Sequence, residues 1–161
     1  MSTEPASPEA LLRLTQWLSP AFPVGAFAWS HGLEAALAEG RVTRETVSDW
    51  LEGVLEHGAG RADAALLAAA YRAGTEAELE EVDALARALA PSAERLAETV
   101  EQGTAFAATV SALWPKYPLP AMAYPVALGR AARLHDLPLD LTATLYLQAF
   151  IGNLCAAAGW R

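Results

Sequence analysis

Lysine is nearly absent from this 161-residue chain: of eleven basic residues only Lys116 is a lysine, against nineteen acidic ones, and the net charge is −8. That balance opposes nucleic-acid binding, which needs a basic footprint to displace phosphate counterions. It also opposes attraction to an anionic membrane surface. Cysteine occurs once, at Cys155. A disulfide within the chain and a multi-cysteine zinc site are therefore excluded. Valine, isoleucine and threonine are sparse, so strands lack their usual residues. Neither G-x-x-x-x-G-K-[ST] nor G-x-G-x-x-G is present, and no nucleotide is expected to bind this chain by itself. The opening MSTEPASPEA has no basic or apolar segment of the kind a signal peptide carries, so a cytoplasmic location is expected, with residues 1–6 disordered.

What the chain does have is alanine, at roughly a quarter of its positions. Alanine loses no side-chain entropy in a helix and is the best helix former. Hydrophobic residues make up 53% of the sequence, enough for a real core. The expected fold class is all-α: one domain over residues 1–161, a compact bundle of about eight helices with short connections.

Local signals place those helices. Ser7, Pro8 and Glu9 form a helix start, followed by Leu11, Leu12, Leu14, Trp17 and Leu18 as an apolar stripe. The breaker PAFPVG follows, with Pro23 holding Phe22 extended. A second helix is expected over 26–39, stopping at Gly40. Thr43 is expected to cap a third that runs to His57-Gly58 on Val47, Trp50, Leu51, Val54 and Leu55. RADAALLAAAYRAG reads as a fourth. Thr75 and Glu78 form a capping box for a fifth, with Leu79, Val82, Leu85 and Leu89 on its apolar face. A sixth is expected over 94–113, then the rigid linker WPKYPLP. A seventh spans 121–134 with Pro125 in its first turns, and Pro138 opens an eighth. That last helix carries no charge between Asp140 and Arg161. Its length matches a bilayer core, yet Thr142, Thr144, Gln148 and Asn153 lower its hydrophobicity, and a helix apolar all round equally fits the centre of a bundle or a subunit interface, which is the reading expected here.

The densest chemistry lies in SPAFPVGAFAWSHGLEAALAEG. Ser30 and His31 are adjacent, and adjacent helical residues point about 100° apart, so His31 is poorly placed to deprotonate Ser30. His31 and Glu34, three apart, share a helix face and could supply two metal ligands, but a site needs more. No metal site is expected within the chain. A small metal-dependent hydrolase using His31 and Glu34 remains an alternative reading, as does a helical adaptor anchored through the last helix. His57 and His135, the latter with Arg133, sit at expected helix ends, where an imidazolium suits the dipole. Asp49, Asp63 and Asp83 need no chemical role, and TEAELEEVD reads as a solvated acidic face. No catalytic residues are assigned.

The same stretch resembles the N-terminal signature of the urease accessory protein F (UreF) family. Pro20, Pro23, Val24, Gly25, Phe27, Ser30, His31, Gly32, Leu33, Glu34 and Gly40 fall on it, with Phe22 where leucine is commoner and Trp29 where tyrosine is commoner. WLEGVLEHGAGRADAALLAAAYRA, including Asp63, resembles the family's next helix pair. Arg95, Glu98, Thr99 and Gly103 resemble an Arg-x-x-Glu-Thr-x-x-x-Gly helix. Tyr124, Pro125, Gly129 and Asn153 resemble the late helices. The resemblance runs from about Leu11 to Ala158. Family members continue with an Arg-Leu-x-Pro-Leu-Gly-Gln segment and further helices, whereas here CAAA is followed by GWR. The resemblance thus implies that a C-terminal portion used for partner contacts is missing.

The resemblance implies a non-enzymatic co-chaperone that forms homodimers and binds accessory protein D (also called H). It implies recruitment of the nickel-carrying GTPase, accessory protein G, and help in passing nickel to the urease apoprotein. Nickel is then handled by the assembly, and no cofactor is bound tightly. The residues it points to for partner binding are Pro23, Gly25, Phe27, Ser30, His31, Gly32, Glu34, Arg95, Glu98 and Tyr124. Pro23 and Gly25 would set a tight lead-in to a helix, Phe27 and Leu33 would pack, and Ser30, His31 and Glu34 would line a surface or passage.

Overall fold

The computed structural model describes residues 7–24 and 32–157. Gly25, Phe27, Ser30 and His31 lie outside the described residues, as do residues 1–6. Among the described residues there are eight helices and no strand. They are α1 (Pro8–Trp17), α2 (Leu33–Ala38), α3 (Val47–His57), α4 (Ala59–Arg72), α5 (Glu76–Ala88), α6 (Ala93–Leu113), α7 (Tyr124–Leu134) and α8 (Leu139–Ala157).

Helix starts follow the side chains that can satisfy the first free N–H groups. The Ser7 hydroxyl accepts from Ala10 N at 3.1 Å, and Pro8 needs no donor there. Thr75 Oγ1 accepts from Glu78 N at 3.2 Å while the Glu78 carboxylate accepts from Thr75 N at 3.3 Å, which completes the expected capping box.

Three starts differ from the expected ones. Gly32 has φ 85°, a left-handed conformation that no helix passes through, so α2 begins at Leu33 rather than at residue 26. Gly40, at φ 69°, stops it as expected. Thr43 does not cap α3: its N–H donates to Thr46 Oγ1 at 2.9 Å within a turn, and the helix starts after Thr46. The seventh helix begins at Tyr124, not at residue 121, which puts Pro125 in the first turn, where its missing N–H costs nothing. Its N-terminus is capped from outside. Asp83 Oδ1 accepts from Ala123 N at 2.6 Å, and Thr99 Oγ1 from Tyr124 N at 3.3 Å.

The main core lies where α4, α6 and α7 meet, with α1 and α8 closing it. Leu14, Trp17, Leu67, Phe106, Val110 and Leu128 are fully buried there. Two glycines let backbones approach. A Cβ at Gly129 would overlap the Leu67 carbonyl of α4, and one at Gly103 would overlap the Met122 carbonyl, with Tyr124 N at 2.7 Å. A second, smaller core gathers Leu33, Ala36, Val42, Phe150 and Leu154 beneath α3.

Three apolar stripes are covered differently from expectation: on α1, Leu14 and Trp17 are buried while Leu11 and Leu12 stay exposed. On α5, Leu79 and Ala86 are buried, but Leu85 and Leu89 remain 51% and 56% exposed. On α8, Thr142, Tyr146, Phe150 and Leu154, each four residues apart, form the buried line, whereas Thr144, Gln148 and Asn153 face outward. The helix thus has one covered side rather than apolar cover all round. No helix among the described residues is long and apolar enough to cross a membrane.

Candidate functional site

The α6 sequence places Arg95, Glu98 and Gln102 at i, i+3 and i+7, a spacing that aligns them on one helix face. That face turns toward α4 and α8. Arg95 Nη2 donates to Asp63 Oδ2 of α4 at 2.8 Å, and Arg95 Nη1 pairs with Glu98 Oε2 at 2.9 Å. Tyr146 of α8 donates its hydroxyl to the same Asp63 oxygen at 2.7 Å, and Gln102 Nε2 donates to Glu98 Oε1 at 3.3 Å. Asp63, Glu98 and Gln102 are each less than a tenth exposed.

One cation therefore serves two buried carboxylates. Burial pushes the Asp63 carboxyl up, against the pull of Arg95 and the Tyr146 hydroxyl. Burial likewise raises Glu98, again opposed by Arg95. Burial works against the Arg95 charge, but Asp63 and Glu98 outweigh it and hold the guanidinium protonated. Burial and the adjacent Asp63 raise the Tyr146 phenol well above its usual value, and burial also raises Tyr124.

Beside this network is a small pocket of about 60 Å³. Arg95, Glu98 and Gln102 form its polar side, Trp17, Tyr124 and Tyr146 its aromatic side, and Asn153 and the Ser19-Pro20 turn with Val24 its rim. The rings are locked together: Tyr124 lies 6.0 Å from Tyr146 and 5.7 Å from Phe106, and Phe106 lies 5.5 Å from Trp17, centroid to centroid.

Of the residues singled out in the sequence, the structure brings Arg95, Glu98 and Tyr124 together at this pocket. Pro23 is exposed next to Val24 at its rim. Gly32 and Glu34 are exposed at the start of α2, in the smaller core's layer. Gly25, Phe27, Ser30 and His31 are outside the described residues. Asp63 departs from the sequence reading: it is a buried hub rather than an ordinary helical acid. Asp83 holds both the α7 start and Arg87, the latter at 2.7 Å. Tyr146, Gln102 and Trp17 were not singled out. The signal for Tyr146 was a phenol within an uncharged stretch of helix, and for Gln102 its register with Arg95 and Glu98.

The histidines divide. His57 is exposed in the last turn of α3, as expected, 3.8 Å from Glu56. His135 ends α7 as expected, but not as an imidazolium. Its Nδ1 accepts from Arg13 at 2.8 Å, and the ring is enclosed by Trp17, Trp114 and Tyr117. Burial, then the Arg13 charge, lower its pKa and keep it neutral. Among the described residues no group of three or more His, Cys, Asp or Glu is placed to hold a metal ion.

The UreF family profile matches residues 42–159. The chain is 53% identical over 153 residues to the urease accessory protein UreF of Roseobacter denitrificans, covering 94% of this chain and 68% of that relative. It is 59% identical over 150 residues to the urease accessory protein UreF of Ruegeria sp. (strain TM1040), covering 92% and 70%. With the protein of the same name from Paracoccus denitrificans it shares 57% over 153 residues, covering 94% and 70%. The chain thus spans 68–70% of the length of these relatives. The helical architecture and the profile agree: this chain belongs to the UreF family, whose matched relatives are urease accessory proteins.

Proposed function

We propose that the chain is a non-enzymatic co-chaperone of urease maturation. In this reading it is a single helical domain that acts in the cytoplasm as a homodimer. It binds accessory protein D (H), helps recruit the nickel-carrying GTPase, accessory protein G, and assists transfer of nickel into the urease apoprotein. The assembly handles nickel, and this chain holds no tight cofactor of its own. The observation that carries the reading is identity above one half, along more than nine tenths of the chain, to proteins named as urease accessory proteins.

The geometry supports a binding role. Clefts of about 740 Å³ and 320 Å³ lie along α5 with the 116–122 linker and beside Asp63 with Leu89; the pocket at Arg95 and Glu98 measures about 60 Å³, room for little more than the head of a side chain. Its charged groups are tied to one another in a fixed network, as suits a rigid contact surface. Pro23, Gly25, Phe27, Ser30, His31, Gly32 and Glu34 are assigned to partner contact on the resemblance of the signature and not on geometry. Glu34 is exposed, as that role requires.

The test is genetic and biochemical. In a urease-positive bacterium lacking its own UreF, the chain is expressed and urease activity and urease-bound nickel are measured. The reading expects both to rise above the deletion background, with the double variant His31→Ala, Glu34→Ala folding normally but activating less. A soluble, folded chain that raises neither quantity and retains neither accessory protein D nor G contradicts it.

A further inference from the structure

The first helix is held to the bundle mainly by apolar contact, through its buried Ala10, Leu14 and Trp17. Among the described residues a single hydrogen bond joins its side chains to another helix end. Arg13 Nη1 donates to His135 Nδ1 at 2.8 Å, across 122 residues of sequence. A guanidinium has five N–H donors and no acceptor. The bond therefore exists only while Nδ1 is a bare acceptor, which puts the ring proton on Nε2.

An imidazolium at this position finds nothing to donate to. Its Nδ1–H would point at the Arg13 cation, and Nε2 is buried without a hydrogen-bond partner. Trp17, Trp114 and Tyr117 pack against the ring, with centroids 5.2, 5.3 and 4.9 Å away, so it does not turn aside without disturbing them. The Trp114 face already serves the Arg13 guanidinium, 5.4 Å from its centroid. The other charges nearby come from three segments. On α1, Glu9 pairs with Arg13 Nη2 at 3.1 Å but is exposed. After α6, Lys116 Nζ lies over the Tyr117 ring at 5.2 Å. At the end of α7, Arg133 is turned to the Tyr71 ring, and the Asp136 carboxylate favours the charged imidazole. Burial and Arg13 outweigh Asp136 and keep the ring neutral.

The helix so held also covers the site. Trp17, Leu18 and the Ser19-Pro20 turn wall the pocket onto which Arg95 and Glu98 open. The side chains of that pair are only 15% and 7% exposed, so a partner reaches them only when a wall of the pocket moves. We propose that the Arg13–His135 bond is a pH-sensitive latch that holds α1 over Arg95 and Glu98, and that protonation of His135 loosens α1 ahead of the rest of the bundle. Its bearing on partner contact rests on the reading of Arg95 and Glu98 as contact residues; the latch itself does not. An opened α1 frees His135 to take up a proton at its ordinary value of 6.5, which the closed state resists. One extra proton in the open state makes opening up to about tenfold more frequent for each pH unit below that value, and above it the latch is complete.

Hydrogen exchange of the full chain, followed by NMR from about pH 7.5 to about pH 5 and corrected for the intrinsic rate at each pH, tests the latch. Protection of the α1 amides is expected to fall by up to about tenfold per pH unit on the acid side, while α6 and α7 keep theirs. His135→Asn places an amide oxygen where Nδ1 stands and does not titrate, so α1 should stay protected across the range. Arg13→Ala should lower α1 protection at neutral pH and flatten its pH dependence. Four results overturn the proposal: α1 amides unprotected at neutral pH, α1 protection steady across the range, a fall shared equally by α6 and α7, or the same fall in a folded His135→Asn variant. The wild-type profile decides even where a variant fails to fold. Urease activation by the wild-type chain is scored separately. A pH-dependent α1 in a chain that activates no urease counts against the accessory role and leaves the latch standing, whereas activation with a pH-independent α1 counts against the latch alone.

Discussion

Arg95 of α6 reaches across to Asp63 of α4 at 2.8 Å, 32 residues away in sequence, and the same Asp63 oxygen receives the Tyr146 hydroxyl of α8 at 2.7 Å. One carboxylate thereby ties three helices together.

Arg95→Ala leaves Asp63 and Glu98 buried without their cation. The side chains of Arg95 and Asp63 are only 15% and 10% exposed, so solvent screens the pair poorly. The expected cost is about 3–5 kcal/mol, as for a buried ion pair stripped of one partner. Tyr146→Phe removes one donor and should cost about 1–3 kcal/mol. Urea denaturation measures both, and a loss below that of Tyr146→Phe in the Arg95 variant would contradict the shared-cation arrangement.

The glycines separate by environment. Gly103→Ala and Gly129→Ala force a methyl into the backbone of residues 122–124 and of Leu67 respectively, and each should destabilise by about 1–3 kcal/mol. Gly53→Ala and Gly152→Ala meet nothing within 4 Å inside helices, and each should stabilise by about 0.5–1 kcal/mol. Gly32→Ala, at φ 85°, should cost about 1 kcal/mol from strain alone. Thermal melting of the five variants checks the ordering.

Asp83→Ala removes the acceptor for Ala123 N, held at 2.6 Å, and the partner of Arg87. Loss of a helix cap costs about 0.5–2 kcal/mol. Hydrogen exchange should quicken first at the start of α7, while α1 stays protected. Uniform quickening throughout would argue against a local cap.

The pH dependence has two opposed parts. Asp63 and Glu98 are raised above 3.8 and 4.5 by burial, so the folded state binds their protons more tightly than the unfolded chain does. Their burial cost is felt in full at neutral pH and is relieved as pH falls toward those ordinary values. His135 is lowered below 6.5 by burial and Arg13. Its contribution is complete above that value and is lost as pH falls beneath it. Comparing urea midpoints at neutral and mildly acidic pH, Glu98→Gln should diminish the acid-side gain and His135→Gln the acid-side loss. Identical pH profiles in wild type and both variants would contradict the assignment.

Much of the helical order was legible because its signals are local. Ser7 with Pro8, Thr75 with Glu78, and Pro138 before α8 act within one turn. The errors fell where tertiary context decides. Gly32 is left-handed, at φ 85°, and a glycine inside a helical pattern does not by itself announce that. Leu85 and Leu89 continue the α5 periodicity but stay about half exposed among the described residues. The site was legible only in part. Arg95 and Glu98 stand three apart on one helix, whereas the bond from Tyr146 to Asp63 joins residues 83 apart. Which polar residues meet in a core depends on how the helices cross, and at Gly103 and Gly129 that crossing is set by the absence of a side chain.

The most direct test of the central claim is copurification of this chain with accessory protein D from a urease-producing relative, followed by gel filtration. The account predicts a complex that elutes ahead of either protein alone and that is weakened by Glu98→Gln while the variant retains its helical spectrum. Separate elution of two folded proteins across the whole micromolar range would contradict it.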